Sequence, residues 1–110
     1  MVVTNKHYAV KDISAPQESK ESYNTQSEVL TVQVEGNATA VEIEVLGASD
    51  LQAEEFYPLM GFDLTTLGSS NTIEATGLYQ FGIDGIAKYK FNITSVSGGT
   101  ISIFCRETRG

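Results

Sequence analysis

The sequence is short of most groups that carry chemistry. Among 110 residues there is one cysteine, one histidine, two prolines and no tryptophan. A single cysteine excludes an intrachain disulfide, so nothing indicates a secreted disulfide scaffold. One Cys and one His also exclude the usual structural zinc sets. Basic residues are scarce: seven Lys and Arg stand against 14 Asp and Glu, a net charge of −7. Phosphate binding needs clustered Lys and Arg, so neither nucleic acid nor an anionic membrane is expected as a partner. No apolar run approaches the ~20 residues that span a bilayer. MVVTNKHYAV lacks a basic stretch followed by an apolar one, so no secretory signal is expected and synthesis is placed in a cytoplasm.

What is present is β-texture. The length and an apolar content of 41% suit one soluble domain, and ten glycines suit many turns. From Leu30 onward, apolar residues recur at every second position, the period of a half-buried strand. In LTVQVEG, Leu30, Val32 and Val34 share one face; in VEIEVLG, Val41, Ile43 and Val45 do the same, with Glu42 and Glu44 outward. A helix would scatter these residues round its circumference. The GNAT turn between the two runs predicts a hairpin. Tyr79, Phe81 and Ile83 repeat the pattern, then Tyr89, Phe91 and Ile93, then Ile101, Ile103 and Cys105. Asp84-Gly85 and Gly98-Gly99 mark corners, the second with the glycines a tight hairpin requires.

The span between these runs is less regular. Ala53 to Phe56 allows one helical turn, YPLMGFDLTTL reads as an edge strand interrupted at Gly61, and TIEATG adds a short strand. About seven or eight short strands without a long helix predict an all-β antiparallel sandwich or jelly roll over residues 29–110. Residues 1–28 differ in texture. KDISAPQESKESYNTQSE is polar and aperiodic, so an extended polar N-terminal arm is expected, with HYAV allowing a short strand.

No pattern of reactive groups emerges. A Cys105–His7 dyad would need a well-placed nucleophile and base, yet Cys105 falls in phase with Ile101 and Ile103, where a thiol packs as a small apolar group. Asp50, Glu54 and Glu55 crowd in GASDLQAEE without the D-x-D-x-D-G spacing of a calcium loop. Glu42 and Glu44 are explained by solvation, and GFDLTTLG lacks the Lys of a phosphate loop. The expectation is therefore no enzyme and no cofactor or metal. Sugar-binding surfaces stack ligands on exposed aromatic rings. Tyr79, Phe81, Tyr89 and Phe91 occupy the inward phase, which leaves Phe56, Tyr57, Tyr8 and Tyr23 as candidates for a ligand or partner surface.

The order LTVQVEG…EVLGASD…FYPLMGFDL…GLYQFGIDG…YKFNI…SGGTISIF, over roughly residues 29–104, resembles small β-sandwich modules of tailed-bacteriophage virion proteins. Such modules occur in head decorations, neck and tail accessories, and baseplate or fibre components. The usual Trp of the aromatic-Tyr-Pro segment is Phe56 here, and the polar N-terminal stretch lies outside the pattern. The resemblance implies a non-enzymatic particle component located in the virion. It would assemble with other virion proteins or with copies of itself. A carbohydrate-binding module for surface adsorption is the alternative that it leaves open.

Overall fold

The computed structural model describes residues 1–110 and contains no helix. Eleven strands occur in chain order: β1 Val2–Ile13, β2 Gln17–Glu18, β3 Ser22–Tyr23, β4 Val29–Gly36, β5 Ala40–Ala48, β6 Tyr57–Pro58, β7 Gly61–Asp63, β8 Ser69–Ser70, β9 Gly77–Gly82, β10 Lys88–Ser97 and β11 Ile101–Arg109. They form two antiparallel sheets. Sheet A has six strands in the order β1-β11-β4-β9-β7-β8; sheet B has the order β2-β10-β5-β6, with β3 also paired to β10. The architecture is the expected sandwich. The strand number exceeds the expectation because β2, β3, β6, β7 and β8 are only two or three residues long, too short to show a period.

The core lies where the alternation places it. Leu30, Val32 and Val34 of β4, Val41, Ile43 and Val45 of β5, Tyr79 and Phe81 of β9, Tyr89, Phe91 and Ile93 of β10, and Ile101, Ile103 and Cys105 of β11 form one buried cluster with Val10, Ile73 and Ile83. Each large apolar side chain withdrawn from water contributes roughly 1.5–3 kcal/mol.

Connections differ from the expected hairpins. β4 and β5 lie in different sheets, as do β10 and β11, so GNAT and SGGT are arches between sheets. Alternation fixes which face is buried, not which strand is the hydrogen-bonding partner, so it cannot distinguish the two. The two arches pack side by side: Thr39 N donates to Ser97 O at 2.8 Å, and Thr100 N donates to Asn37 Oδ1 at 2.9 Å. Gly98, at φ +76°, takes the left-handed conformation this corner needs.

Residues 1–28 do not form an arm outside the sandwich. β1 pairs with β11 along its whole length, from Val2 opposite Arg109 to Ile13 opposite Ile101. β2 and β3 extend sheet B along the free side of β10. Ser19 is buried, its N donating to Phe91 O and its Oγ accepting from Phe91 N, both at 2.9 Å. The sequence hides β1 for a physical reason. It is an edge strand that buries only Val10, and register shifts at Val3/Asn5, Tyr8/Val10 and Val10/Ile13 break its alternation.

The molecule thus has two lateral edges. The near edge consists of β1, β2 and β3. At the far edge, the chain passes from sheet B to sheet A between β6 and β7, and residues 49–76 close the sandwich with short strands and turns. There, buried Gly61 lies against the Phe81 ring so closely that any Cβ would overlap it.

Candidate functional site

The densest polar cluster sits under the near edge. β11 keeps its inward phase past Cys105, and the next inward residue is Glu107, 2% exposed. Its carboxylate accepts from Tyr89 OH, from Ser27 Oγ at 3.0 Å and from Asn5 Nδ2 at 3.4 Å. Thr4 in turn bonds Ser27. The cluster therefore ties β1, the 24–28 loop, β10 and β11 together. Burial, then the bond to Glu107, pushes the Tyr89 phenol far above its usual range. Burial, then the Glu107 charge, pushes the Cys105 thiol up to about 12.

His7 and Cys105 are direct cross-strand partners. With its thiol protonated, however, Cys105 is no thiolate nucleophile. A Ser22–His7–Asn5 line also exists: His7 Nε2 lies 3.1 Å from Ser22 Oγ, and Asn5 Nδ2 lies 3.4 Å from His7 Nδ1. The Asn5 contact is long for a hydrogen bond, and the same Nδ2 also reaches Glu107 Oε2 at 3.4 Å, so no carboxylate or short bond orients the ring as a base. None of the four surface depressions includes His7, Ser22 or Cys105. The cluster is an anchor for the N-terminal strand.

The outer face of sheet A is different. Across the ladders, Tyr8, Phe104, Gln33 and Leu78 form one row, and Lys6, Arg106, Thr31, Gln80 and Phe62 the next. Tyr8 stacks edge-on against Phe104 with ring centroids 5.0 Å apart, and Lys11 Nζ lies 5.2 Å from the Tyr8 ring. Tyr8 OH donates to Glu35 Oε1 at 3.4 Å. Tyr8, Leu78 and Phe62 are exposed, as are Lys6, Lys11 and Arg106. These cations have no acidic partner within ion-pair distance: both salt bridges of the molecule belong to Lys88 and Lys90.

Sheet B's outer face closes on itself. Lys88 and Lys90 point their ammonium groups at the Phe56 ring, 5.1 and 4.4 Å from its centre. Lys88 also pairs with Glu21 and Lys90 with Glu18, each at 3.4 Å, and Lys88 Nζ donates to Leu51 O at 3.0 Å. Phe56 is therefore covered on its face by its own chain. It is not a free aromatic.

The four aromatics singled out from sequence are not brought together. Tyr8 stands on β1 at sheet A's outer face; Tyr23 is exposed on β3 at the near edge of sheet B; Phe56 is stapled beneath two lysines; Tyr57 is exposed on β6 at the far edge. Tyr57 OH donates to Glu55 Oε2 at 2.7 Å, and that bond raises the phenol's pKa. Tyr57 borders an open groove of about 610 Å³ with Glu54, Glu55, Leu59 and Ile86. Asp50 instead caps a local turn, its Oδ1 accepting from Gln52 N at 2.8 Å. No group of three His, Cys, Asp or Glu side chains converges, so Asp50, Glu54 and Glu55 do not assemble a cage. Sequence reasoning missed Glu107, although its phase with Ile101, Ile103 and Cys105 marks it as inward. It also missed the Lys6–Arg106 row, which depends on the unforeseen β1 ladder.

Comparison with known proteins supplies the kinship. The fold is that of the SPBc2 prophage-derived protein YomS: TM-score 0.86 and 23% identity, covering 97% of this chain and 95% of YomS. It also matches the PBSX exported protein XepA with TM-score 0.86 and 19% identity. That match covers 94% of this chain but 37% of XepA, so the chain spans little more than a third of XepA's length. No curated protein matches the sequence. The model of the XepA family matches residues 9–106, from the middle of β1 almost to the end of β11. The chain belongs to the XepA family.

Proposed function

We propose that the protein is a phage-type accessory protein that works by docking rather than by catalysis. Its partners are other phage proteins or copies of itself, and its place is in the particle or outside the cell. The observation that carries the reading is the outer face of sheet A, where Tyr8 is exposed beside the unpaired cations Lys6, Lys11 and Arg106 and where Leu78 and Phe62 are exposed further across the sheet. Exposed Tyr, Phe and Arg side chains are residue types enriched at interface centres. Beside the buried Glu107 cluster the Cys105 thiol is pushed up to about 12, which supports structure over chemistry. Kinship with a prophage-derived protein and an exported PBSX protein supports the phage setting and the location. The glycan reading has no aromatic pair converging on a groove behind it.

A mass-spectrometric inventory of purified particles and of cleared lysate tests this. The protein is expected in the particle, or released and bound to a phage protein. Recovery only as a free species inside cells would overturn the proposal.

A further inference from the structure

A small pocket opens at the far edge, between the β7–β8 hairpin of sheet A and residues 72–75. The fold fixes both sides. Within the hairpin turn Asp63 N donates to Gly68 O and Leu67 N to Asp63 O, each at 2.8 Å. Opposite, Ile73 exchanges two backbone bonds with Ile43 of sheet B, at 2.8 and 2.9 Å. The space is about 240 Å³, below the roughly 300–1,000 Å³ that drug-sized ligands occupy, so its occupant is small. Buried Ile73 and Phe81 give it an apolar floor, and the exposed Thr66 and Ser69 bring hydroxyls to its rim. Two carboxylates, Asp63 and Glu74, also line it. Residues 21–87 contain no Lys or Arg, and both salt bridges of the molecule lie elsewhere, so neither carboxylate has a cation partner. Tyr79 completes the lining. It is 7% exposed, its hydroxyl donates to Ala75 O at 2.6 Å, and no protein group donates to its oxygen. Burial, then the Asp63 and Glu74 charges, pushes this phenol up, so both carboxylates bear on the same oxygen. A deeply buried acceptor and two uncompensated carboxylates therefore share one cavity that holds no positively charged donor.

We propose that this pocket binds a small hydroxylated primary ammonium compound, the class of amino sugars with a free amine. An ammonium group brings three donors and no acceptor, which suits Glu74, Asp63 and the Tyr79 oxygen. The ligand's hydroxyls exchange hydrogen bonds with Thr66 and Ser69, and its C–H surface rests on Ile73 and Phe81. Charge carries the recognition, so no stacking pair of aromatic rings is required. A divalent metal fits less well. No third Asp, Glu, His or Cys joins the two carboxylates, whereas calcium takes about six to eight oxygen ligands. The site lies across sheet A from Tyr8 and goes beyond the docking reading above.

The test titrates glucosamine into the isotope-labelled full chain and follows its backbone amides by NMR. Three further probes separate the parts of the proposal: N-acetylglucosamine keeps the hydroxyls without the charge, butylamine keeps the charge without the hydroxyls, and calcium chloride supplies a cation alone. Glucosamine is expected to shift the amides of residues 63–75 saturably, and each of the other probes to bind at least about tenfold more weakly. Glu74→Gln and Asp63→Asn should each weaken glucosamine about tenfold. Both changes preserve shape, Glu74 is exposed, and an Asn at 63 retains the Oδ1 that caps the turn, so the melting curve should stay that of the wild type. No saturable shift with glucosamine, any other probe binding as well as it does, or variants that bind it as the wild type does would each overturn the proposal. The particle inventory reads docking separately from all of these.

Discussion

The near and far edges solve the same problem by different means. Both must end a sheet without leaving it open. The near edge uses one 12-residue strand that buries a single residue and is anchored by polar groups converging on Glu107. The far edge uses strands of two or three residues, held by close packing of Gly61 on Phe81 and by side-chain-capped turns. At one such turn Asp63 Oδ1 accepts from Thr65 N at 2.8 Å and from Thr66 N at 3.2 Å, which lowers its pKa. The difference teaches that a long edge strand can be nearly all polar if a buried acceptor fixes it. Short edge strands depend instead on shape. The first kind of edge should break when an acceptor is removed, the second when a methyl group is added.

Glu107→Ala should therefore be the most damaging change at the near edge. It leaves Tyr89 OH without its carboxylate acceptor and Ser27 Oγ with Thr4 alone, and should cost about 3 kcal/mol in urea unfolding. Amide exchange in β1 should rise while β7 and β9 stay protected. Unchanged protection in β1 would show that the cluster does not hold it. At the far edge, Gly61→Ala should cost about 2 kcal/mol by overpacking. Adding Phe81→Leu should give back part of that loss, and strictly additive losses would contradict the packing account.

Alkali probes the two edges together. The folded Cys105 keeps its proton up to about 12, whereas an unfolded thiol loses it near 9.0. The unfolded state is thus favoured as pH rises through that window, and stability should fall by about 1.4 kcal/mol per pH unit once the unfolded thiol ionises. Tyr89 at the near edge adds the same trend from its ordinary 10.0, as does Tyr79, whose pKa is raised by burial, then by Asp63 and Glu74. Cys105→Ala should delay the onset by about one pH unit, until the tyrosines take over. A slope that ignores this substitution would remove the thiol from the explanation. The smallest effects compare two aromatics. Phe56→Ala should cost about 1 kcal/mol for its two ammonium contacts, whereas Tyr8→Ala should stay within about 0.5 kcal/mol yet weaken recovery of the protein with purified particles.

How much of this was readable beforehand depends on the strand. β4, β5, β9, β10 and β11 were legible because each presents one face to the core, and Leu30, Ile43, Phe81, Phe91 and Ile103 all fall inward as their spacing dictates. β1 was not legible, because edge position and register shifts remove the periodic signal. Partner choice was not legible either, since arches and hairpins share one alternation. Among the candidate surface residues, Tyr57, Tyr8 and Tyr23 proved exposed. Phe56 did not stay free, because Lys88 and Lys90 reach it from more than thirty positions along the chain, a distance no local pattern spans.

Val2 standing opposite Arg109 makes the backbone almost a closed circle. Paired residues in such a ladder have Cα atoms about 5 Å apart, so a linker of a few residues would turn β11 and β1 into an ordinary hairpin. New ends could then open at Asp84-Gly85, where both residues are exposed and Gly85 has no side-chain neighbour in reach. A chain so rewired would run through the strands in a different order and keep every ladder except the joint. What the fold stores is adjacency rather than sequence of travel, and the two ends enter and leave through a single doorway.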